Sequence, residues 1–279
     1  MARLLITGGS SYLGQFLVPM AMEQHQTSYT YYTHNPLTTP SAYPLDLRDS
    51  AAVNNLVNQF QPEIIIHTAG SNRPADMVNV IVNGTRHIAK AAEAVGARLI
   101  HISTDVVFNG QDAPYAEDAP PTPIHAYGRA KAEAEIFAAK HPDCAIIRTS
   151  LIYSLRMMDH GTAWLVNALH HKKPVTLFSD QRRNPVWADT LSLSCLELAT
   201  NDYRGVLHVA GEQVLSRAEF GLRMLDWWDI EERSSLTIST SDHTKWPADC
   251  TFDLSRAKSV LNTPLPGVDE VLSRHSAAK

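Results

Sequence analysis

The sequence predicts an α/β fold, with a doubly wound parallel sheet and a smaller α/β lobe at the C-terminal end. Short apolar runs alternate with longer helical patterns through the first half of the chain. These runs stay apolar for several residues in a row, which indicates strands that are buried on both faces. A glycine-rich turn follows the first run. Right-handed crossovers between such strands produce a doubly wound sheet.

The predicted strands of the first half are, in order, RLLIT, YTYYT, EIIIHTAG, RLIHIST and CAIIRTSLIY. The helices predicted between them are GQFLVPMAMEQH, SAAVNNLVNQF, NVIVNGTRHIAKAAEAVG and AYGRAKAEAEIFAAKH. Each helical segment is longer than a typical strand, and this length separates the two kinds of element. We therefore predict a first domain over residues 1–153.

The alternation stops after residue 153. The segments GTAWLVNALHH, TLSLSCLELAT and SRAEFGLRMLDWW predict helices, and GVLHVAG predicts a short strand. Ser216 stands where the N-cap of the last of these helices belongs. We predict a smaller lobe over residues 154–279 that binds the substrate, with some of its segments returning to the sheet.

Composition excludes several classes of partner. The chain has 279 residues, 44% of them hydrophobic, and a net charge of −5, which is ordinary for a globular protein and gives no footprint for nucleic acid. No apolar run approaches the roughly 18 residues of a membrane span. The 3 cysteines and 13 histidines form no disulfide framework and no metal-binding spacing. We expect a cytoplasmic protein with no metal and with neither nucleic acid nor membrane as partner.

The stretch TGGSSYLG joins the first predicted strand to the first helix. A strand, a glycine turn and a helix N-terminus together form an anion site, because free N–H groups and the helix dipole face the phosphates. Gly8 permits the tight turn and Gly14 permits close packing of helix on strand. Ser11 stands where a G-x-x-G-x-x-G loop has its middle glycine, and its hydroxyl can bond a phosphate oxygen. Taken alone, the stretch also fits a plain glycine-rich turn.

The end of the second strand bears on the choice of cofactor. An NAD site has an acid there that binds the ribose 2′-hydroxyl, but YYTHNP contains no carboxylate. Thr33 and His34 do not repel a 2′-phosphate, which favours NADP(H) over NAD(H). Asp46 is either an adenine contact or a loop carboxylate. The other predicted cofactor-binding residues are Tyr12, Leu13, Leu47, Thr68, Ala69, Gly70 and Asn83.

The motif YGRAK places Tyr127 and Lys131 four residues apart, on one face of a helix. A tyrosine with the ordinary pKa near 10 transfers protons poorly at neutral pH. An ammonium group about 4 Å away contributes roughly 4 kcal/mol at an effective dielectric constant of about 20, or about three pKa units. We therefore expect Lys131 to lower the pKa of Tyr127 towards neutrality.

Thr104 ends the strand RLIHIST at the carboxyl edge of the sheet, where ligands bind in open α/β folds. Its hydroxyl can hydrogen-bond a substrate carbonyl oxygen and orient that oxygen towards the phenol of Tyr127. Asn83 is a candidate for holding a water molecule next to Lys131. The order of glycine turn, Thr104, Tyr127 and Lys131 favours a dinucleotide site over a plain turn.

At these residues the chain resembles an extended short-chain dehydrogenase/reductase, and more narrowly the dTDP-4-dehydrorhamnose reductase branch. The matching stretches are LLITGGSSYLG, VNGTRHIAKAAEAVGARLIHISTDVVFNG, PYAEDAPPTPIHAYGRAKAEAE and IIRTSLIY. The resemblance implies a Rossmann domain with Thr104, Tyr127 and Lys131 as catalytic triad, and Lys131 also touching the nicotinamide ribose. It implies hydride transfer from NAD(P)H to the 4-keto carbon of a nucleotide-linked deoxysugar, while Tyr127 protonates the oxygen. A homodimer is consistent with the resemblance.

The sequence departs from that branch where the substrate is bound. Val106 replaces the tyrosine that usually follows Ser-Thr-Asp, and NPVWAD replaces a Pro-Thr motif, which puts the identity of the sugar in doubt. A diphosphate group can reach the arginine pair of the C-terminal lobe. The predicted substrate-binding residues are Ser103, Asp105, Val106, Tyr153, Arg182, Arg183 and Trp187.

Two alternatives remain open. The chain also resembles nucleotide-sugar dehydratases and epimerases, which share this fold and triad. In the dehydratases the threonine is typically followed by Asp-Glu, where this chain has Asp105-Val106. Epimerases usually read VYG where this chain reads VFNG. A dinucleotide-binding regulatory subunit, resembling that of methionine adenosyltransferase, is the alternative from a different class of protein.

Overall fold

The computed structural model describes residues 1–71 and 75–276. The strands, in chain order, are β1 (Arg3–Thr7), β2 (Gln26–Tyr31), β3 (Ala42–Pro44), β4 (Ile64–His67), β5 (Arg98–Thr104), β6 (Cys144–Thr149), β7 (Ile152–Tyr153), β8 (Val175–Phe178), β9 (Arg182–Arg183), β10 (Val186–Trp187), β11 (Gly205–His208), β12 (Leu215–Ser216) and β13 (Leu236–Ser239).

The helices, in chain order, are α1 (Gly14–Gln24), α2 (Ser50–Phe60), α3 (Gly84–Val95), α4 (Ala126–Ala138), α5 (His160–His170), α6 (Ala188–Thr200), α7 (Arg217–Trp227), α8 (Ser255–Val260) and α9 (Val268–Ser276). A π-helical turn at Val78–Asn83 leads into α3, and a 3-10 turn at Asp105–Val107 follows β5. In the described part of the chain, no helix is long and apolar enough to cross a membrane.

Seven strands of the described residues form one parallel sheet, in the order β11-β6-β5-β4-β1-β2-β3. The predicted doubly wound sheet is thereby confirmed. From β1 the chain builds outward through β2 and β3, then crosses over and continues on the other side with β4. This reversal is a topological switch point, and it opens a crevice between the carboxyl ends of β1 and β4.

Both faces of the sheet are apolar because helices cover both. Leu4 and Ile6 point to the face that α1 and α6 cover, while Leu5 and Ile65 point to the face that α2 and α3 cover. All four side chains are fully buried. Continuous apolar strands therefore satisfy both layers, and the polar residues gather at the strand ends, where the crevice lies.

Segments beyond residue 153 contribute to the sheet and also form a separate cluster. β11 pairs with β6 at the edge of the sheet, and α6 lies on the face shared with α1. The separate cluster consists of apolar side chains of α5, β8 and α7, which are buried against one another. Ser216 caps α7 in a capping box with Glu219, as its position predicts. The boundary at residue 153 stays a prediction, and residues 277–279 of the predicted lobe lie outside the described residues.

Candidate active site

Three glycines shape the loop between β1 and α1. Gly8 has a φ of +80°, and a Cβ on it would lie 2.7 Å from the backbone of Ala69. A Cβ on Gly14 would lie 2.4 Å from the carbonyl oxygen of Gly8. Gly9, which the sequence analysis does not single out, faces the ring of Tyr29, 2.4 Å from where its Cβ would stand. The loop is therefore packed too tightly for side chains at these positions.

Ser11 uses its hydroxyl inside the loop. Its Oγ accepts a hydrogen bond from the N–H of Gly14 at 3.1 Å and lies 3.3 Å from Oγ1 of Thr68. Within the described ranges, the amides of Tyr12 and Leu13 have no hydrogen-bond acceptor. Free amides at a helix start are what a pyrophosphate requires, so the loop fits a dinucleotide although its middle glycine is replaced.

The neighbouring strand end and a later segment hold this loop in place. Thr68 donates to the carbonyl oxygens of Thr7, at 2.9 Å, and of Gly8, at 3.2 Å. On the opposite side, the hydroxyl of Tyr12 donates to the carbonyl of Met157 at 2.7 Å. The segment before α5 therefore lies against the loop, which brings the C-terminal part of the chain to the cofactor crevice.

A guanidinium group stands at the end of β2, where sequence reasoning found no arginine. Arg48 donates to the hydroxyl of Tyr32 at 2.6 Å and binds both carboxylate oxygens of Asp46, at 2.9 and 3.0 Å through Nε. These hydrogen bonds lower the pKa of Asp46. The signal was present in PLDLRD, but spacing does not show that β3 ends beside β2. Three predicted cofactor residues are exposed at this edge: Thr33, His34 and Gly70.

Asn83 ends the π-helical turn and donates to the side chain of Asn79 at 3.0 Å. No hydrogen bond joins it to Lys131 in the part of the chain that the structure describes, so its water-holding role stays a prediction. Leu47 is buried against the start of α3, where a Cβ on Gly84 would lie 3.0 Å from the Cβ of Leu47. That contact fixes the β3–α2 loop against α3.

The predicted catalytic residues come from β5 and α4. Thr104 ends β5, and its hydroxyl donates to Asp105 at 3.1 Å. A Cβ on Gly128 would lie 2.2 Å from the carbonyl oxygen of Val106, so α4 packs directly on the turn after β5. Tyr127 precedes that contact by one residue and is thereby held beside the strand end. Gly128 of YGRAK is a positioning residue that the Tyr–Lys spacing alone does not reveal.

The electrostatics of Tyr127 differ from the expectation. Burial and the carboxylate of Asp105 raise the pKa of Tyr127 to about 12. Burial lowers the pKa of Lys131 to about 8, and its ammonium donates to the carbonyl of Ile102 at 2.5 Å. The expectation of a lowered phenol pKa is therefore wrong for this structure. Tyr127 is protonated at neutral pH, which suits a proton donor.

The pKa of Lys131 predicts a pH dependence. Below a pH of about 8 the amine is charged, and we expect the charged amine to stabilise the phenolate that would remain after Tyr127 gave up its proton. We expect kcat/KM for NADPH, which reports the free enzyme, to fall as the pH rises through about 8. Lys131→Met should lower the activity and abolish this limb, whereas Lys140→Met, just beyond α4, should keep it. A limb that persists in Lys131→Met would assign it to another group.

A buried ion pair behind the site fixes α4 on the sheet. Arg148 of β6 forms a bidentate ion pair with Glu135 of α4, in which Nη2 donates to Oε2 at 2.8 Å and Nε donates to Oε1 at 3.0 Å, and both side chains are buried. Ser103 donates to the same carboxylate at 2.5 Å. The buried hydroxyl of Ser103 is thereby engaged in this network, and the substrate contact that the sequence predicts for Ser103 stays a prediction.

Two further predicted substrate residues belong to the C-terminal core. Tyr153 is fully buried and packs on Phe220, with ring centroids 5.6 Å apart, so it does not line the cleft. The predicted strand IIRTSLIY breaks after Thr149, and β7 pairs with β10 instead of continuing the sheet, which carries Tyr153 into this core. Trp187 is half-buried in β10, against His275 of α9 at 5.1 Å.

Asp105 and the arginine pair lie beside the catalytic strand end. Ser150 donates to Asp105 at 2.6 Å, and Nε of Arg183 lies 3.4 Å from the same carboxylate. Arg182 is exposed and lies 3.6 Å from Asp249. The pair RR is thus divided between a buried position and a surface position.

Fold and site together define a class of protein. A doubly wound parallel sheet, a glycine loop at its switch point and a Tyr-x-x-x-Lys helix packed on the next strand end are those of the extended short-chain dehydrogenase/reductases, which are NAD(P)H-dependent oxidoreductases. Within that class, the chain belongs to the family of the RmlD substrate binding domain, whose model matches residues 2–276.

Similar proteins include two reductases and a subunit of methionine adenosyltransferase. Methionine adenosyltransferase 2 subunit beta of Xenopus tropicalis is 28% identical, over 82% of this chain and 72% of that protein. The probable low-salt glycan biosynthesis reductase Agl14 of Haloferax volcanii is 26% identical, over 98% of this chain and 97% of that protein. The structure of a hypothetical dTDP-4-dehydrorhamnose reductase from Sulfolobus tokodaii is 28% identical with a TM-score of 0.82, and the match covers 96% of this chain and 98% of that one.

Proposed function

We propose that the protein reduces the 4-keto group of a nucleotide-linked deoxysugar with NADPH. The observation that carries this proposal is the close packing of Gly128 on the carbonyl of Val106, which sets the protonated Tyr127 beside the turn that follows Thr104 at the carboxyl edge of the sheet. The glycine loop, with its free amides, lies at the switch point of the same edge. The likeness to two reductases over nearly the whole chain supports the same class of reaction.

The catalytic side chains divide the work of the reduction. When it is bound, a reduced nicotinamide supplies the hydride to the keto carbon. The Thr104 hydroxyl donates a hydrogen bond to the keto oxygen and orients it, and the Tyr127 hydroxyl donates the proton that turns this oxygen into an alcohol. Lys131 stabilises the phenolate that is left. The carbon gains the hydride and the oxygen gains the proton, so the balance is one keto group reduced to one alcohol.

The residues around Arg48 support NADPH as the cofactor. The stretch YYTHNP at the end of β2 contains no carboxylate, and Asp46 of the neighbouring loop is paired with the exposed guanidinium of Arg48. The contacts that hold this guanidinium lie at the surface and exchange readily. We expect Arg48→Gln to weaken NADPH binding about tenfold, the loss of one charge-assisted bond, and to change NADH binding much less. The measurement is the pair of dissociation constants by fluorescence titration. An unchanged NADPH/NADH ratio would separate Arg48 from cofactor choice.

The reductase function is tested by following NADPH absorbance with a panel of nucleotide-linked 4-keto sugars and matching free keto sugars. Consumption that needs both the protein and a panel member supports the proposal. NADPH binding without consumption on any member contradicts it. The same assay with NADH shows which cofactor is used, and gel filtration of the active protein shows whether a homodimer forms.

A regulatory subunit is the second candidate, favoured by the 28% identity to methionine adenosyltransferase 2 subunit beta. Such a role needs the dinucleotide crevice but not the proton donor. Co-purification with a methionine adenosyltransferase, together with no turnover of any keto sugar, would favour this candidate. The retained Thr104, Tyr127 and Lys131 support the reductase over it.

A further inference from the structure

Two buried histidines lie side by side on the central sheet, and the proposed mechanism uses neither of them. His67 ends β4, and His101 lies directly opposite it on β5 in the parallel register. Both side chains are 0% exposed, and their ring centroids are 5.3 Å apart. Each imidazole carries two polar nitrogens, and polar atoms in a protein interior need hydrogen-bond partners. The partners of these nitrogens therefore decide what each ring can do.

The two rings differ in their hydrogen bonds. Nδ1 of His67 lies 2.6 Å from the hydroxyl oxygen of Thr7, and its Nε2 lies 3.0 Å from that of Thr85. Counting only the residues that the structure describes, neither ring nitrogen of His101 has a hydrogen-bond partner. Buried polar atoms without a partner from the protein are usually bonded to ordered water. His101 is therefore the ring of this pair that can bind a further group.

The ammonium of Lys131 lies against the same stretch of β5. Its Nζ donates to the carbonyl oxygen of Ile102, the residue after His101, at 2.5 Å. Because side chains alternate along a strand, His101 and Ser103 point to the same face of the sheet. Ser103 meets α4 on that face, where it donates to Glu135 at 2.5 Å. Lys131 and Glu135 are four residues apart on one side of α4, so His101 lies under this helix and next to Lys131.

The charges around His101 agree with this placement. Burial and the ammonium of Lys131 lower the pKa of His101 well below its usual value. The same two causes lower the pKa of His67 to about 3. Both rings are therefore neutral at physiological pH. A neutral imidazole has one nitrogen that accepts a hydrogen bond, and in His101 that acceptor faces a buried cation.

Other titratable groups surround Lys131 on the elements packed around it. On its own helix, Glu135 raises the pKa of Lys131, and this carboxylate is bound by Arg148 of β6. In the turn after β5, Asp105 acts on Tyr127, which precedes Lys131 by one helical turn. A substitution at the unpaired histidine leaves all of these groups in place, so its effect on the ammonium can be measured by itself.

We propose that His101 is a positioning residue for Lys131, an inference that rests on the proposed function. Its unpaired nitrogen accepts a hydrogen bond from the ammonium through one buried water molecule. His67, fixed between its two threonines, packs on the ring of His101 and holds it in this orientation. A hydrogen bond to the charged form of a group favours that form, whereas burial favours the neutral amine. His101 therefore helps Lys131 keep the charge that the reduction requires once Tyr127 has given up its proton.

The test is an NMR titration of Lys131 itself. The protein is labelled with ¹³C at the ε-carbons of its lysines, and the signal of Lys131 is identified by its loss in Lys131→Met. We expect a midpoint at about pH 8 in wild type. In His101→Phe the midpoint should fall by about one pH unit, because loss of a hydrogen bond to a charged group changes an acid dissociation constant about tenfold. His101→Gln keeps an acceptor and should restore most of the wild-type value.

His208→Phe is the matched control. His208 is also a fully buried imidazole on a strand of the central sheet, and its ring packs on Phe252 with centroids 4.1 Å apart. It lies on β11, two strands away from β5, and the charges that act on it are those of Arg148 and Arg256. The substitution should leave the midpoint of Lys131 unchanged.

The titration does not depend on turnover, so it separates this inference from the reductase function. A Lys131 midpoint that His101→Phe leaves in place, or that His208→Phe moves as far, overturns the inference. In active protein the alkaline limb of kcat/KM for NADPH should move with the midpoint, and a limb that stays in place overturns the role of His101 in the reduction. A shifted midpoint in a protein that reduces no keto sugar keeps the link between His101 and Lys131 and removes the reductase. If His101→Phe does not fold, His101→Leu, which also lacks an acceptor, takes its place with the same expectation.

Discussion

Tyr127→Phe is expected to lower kcat for keto-sugar reduction by roughly 10³-fold, within the range that a positioned general acid contributes. The phenol is the group at the strand end that holds its proton at neutral pH, with a pKa of about 12. Phenylalanine keeps the ring that packs against the apolar cluster containing Ile81 and Val82 of the π-helical turn, and removes only the hydroxyl. NADPH affinity should stay within about threefold, because the substitution leaves the glycine loop between β1 and α1 unchanged. Stopped-flow turnover and fluorescence titration measure the two quantities.

Tyr203→Phe is the matched control for Tyr127→Phe. Tyr203 lies just before β11, at the amino edge of the sheet and away from the crevice. Its hydroxyl donates to the carbonyl of Val206 at 2.5 Å. It should keep full turnover. A Tyr127→Phe protein that reduces the substrate at a near-normal rate would remove the phenol from the mechanism.

Gly14→Ala is expected to weaken NADPH binding by at least about 100-fold. The new Cβ would lie 2.4 Å from the carbonyl oxygen of Gly8 and 2.6 Å from the backbone of Gly9, with no flexible side chain to move aside. Either α1 or the loop must shift, and both carry the amides that we propose bind the pyrophosphate. Calorimetric titration with NADPH measures the loss.

A variant that strains the backbone elsewhere controls for general destabilisation. Gly96→Ala forces a side chain onto a φ of +70° at the end of α3, with open space around it. It should lower the unfolding free energy by about 1 kcal/mol and leave NADPH affinity unchanged. If Gly14→Ala binds NADPH as well as Gly96→Ala does, the loop is not the cofactor site.

The fold was predictable because its signals are local. Apolar runs such as RLLIT and EIIIH have no polar face, so they belong in a sheet covered on both sides, and the structure has them there. The glycine loop was equally readable, since Gly8 and Gly14 are required by contacts within a few residues or with the next strand. Ser11 was the ambiguous position, and its bond to Gly14 shows how the loop keeps its shape without a glycine there.

The site was less predictable because its chemistry depends on contacts between distant segments. The pKa of Tyr127 follows from burial and from Asp105, which no Tyr–Lys spacing shows. Arg48 reaches the end of β2 only because β3 pairs there. The position of Tyr153 was not predictable for the same reason, because the chain leaves the sheet after β6 and β7 pairs with the distant β10.

Transfer of deuterium from NADPH labelled at nicotinamide C4 is the most direct test of the proposed reduction. The protein is incubated with the labelled cofactor and the nucleotide-linked 4-keto sugars, and the sugar product is analysed by mass spectrometry and NMR. We predict an alcohol with a single deuterium on C4 of the sugar, formed by wild type and formed roughly 10³-fold more slowly by Tyr127→Phe. NADPH bound tightly by wild type with no deuterated product from any sugar would contradict it and favour the regulatory role.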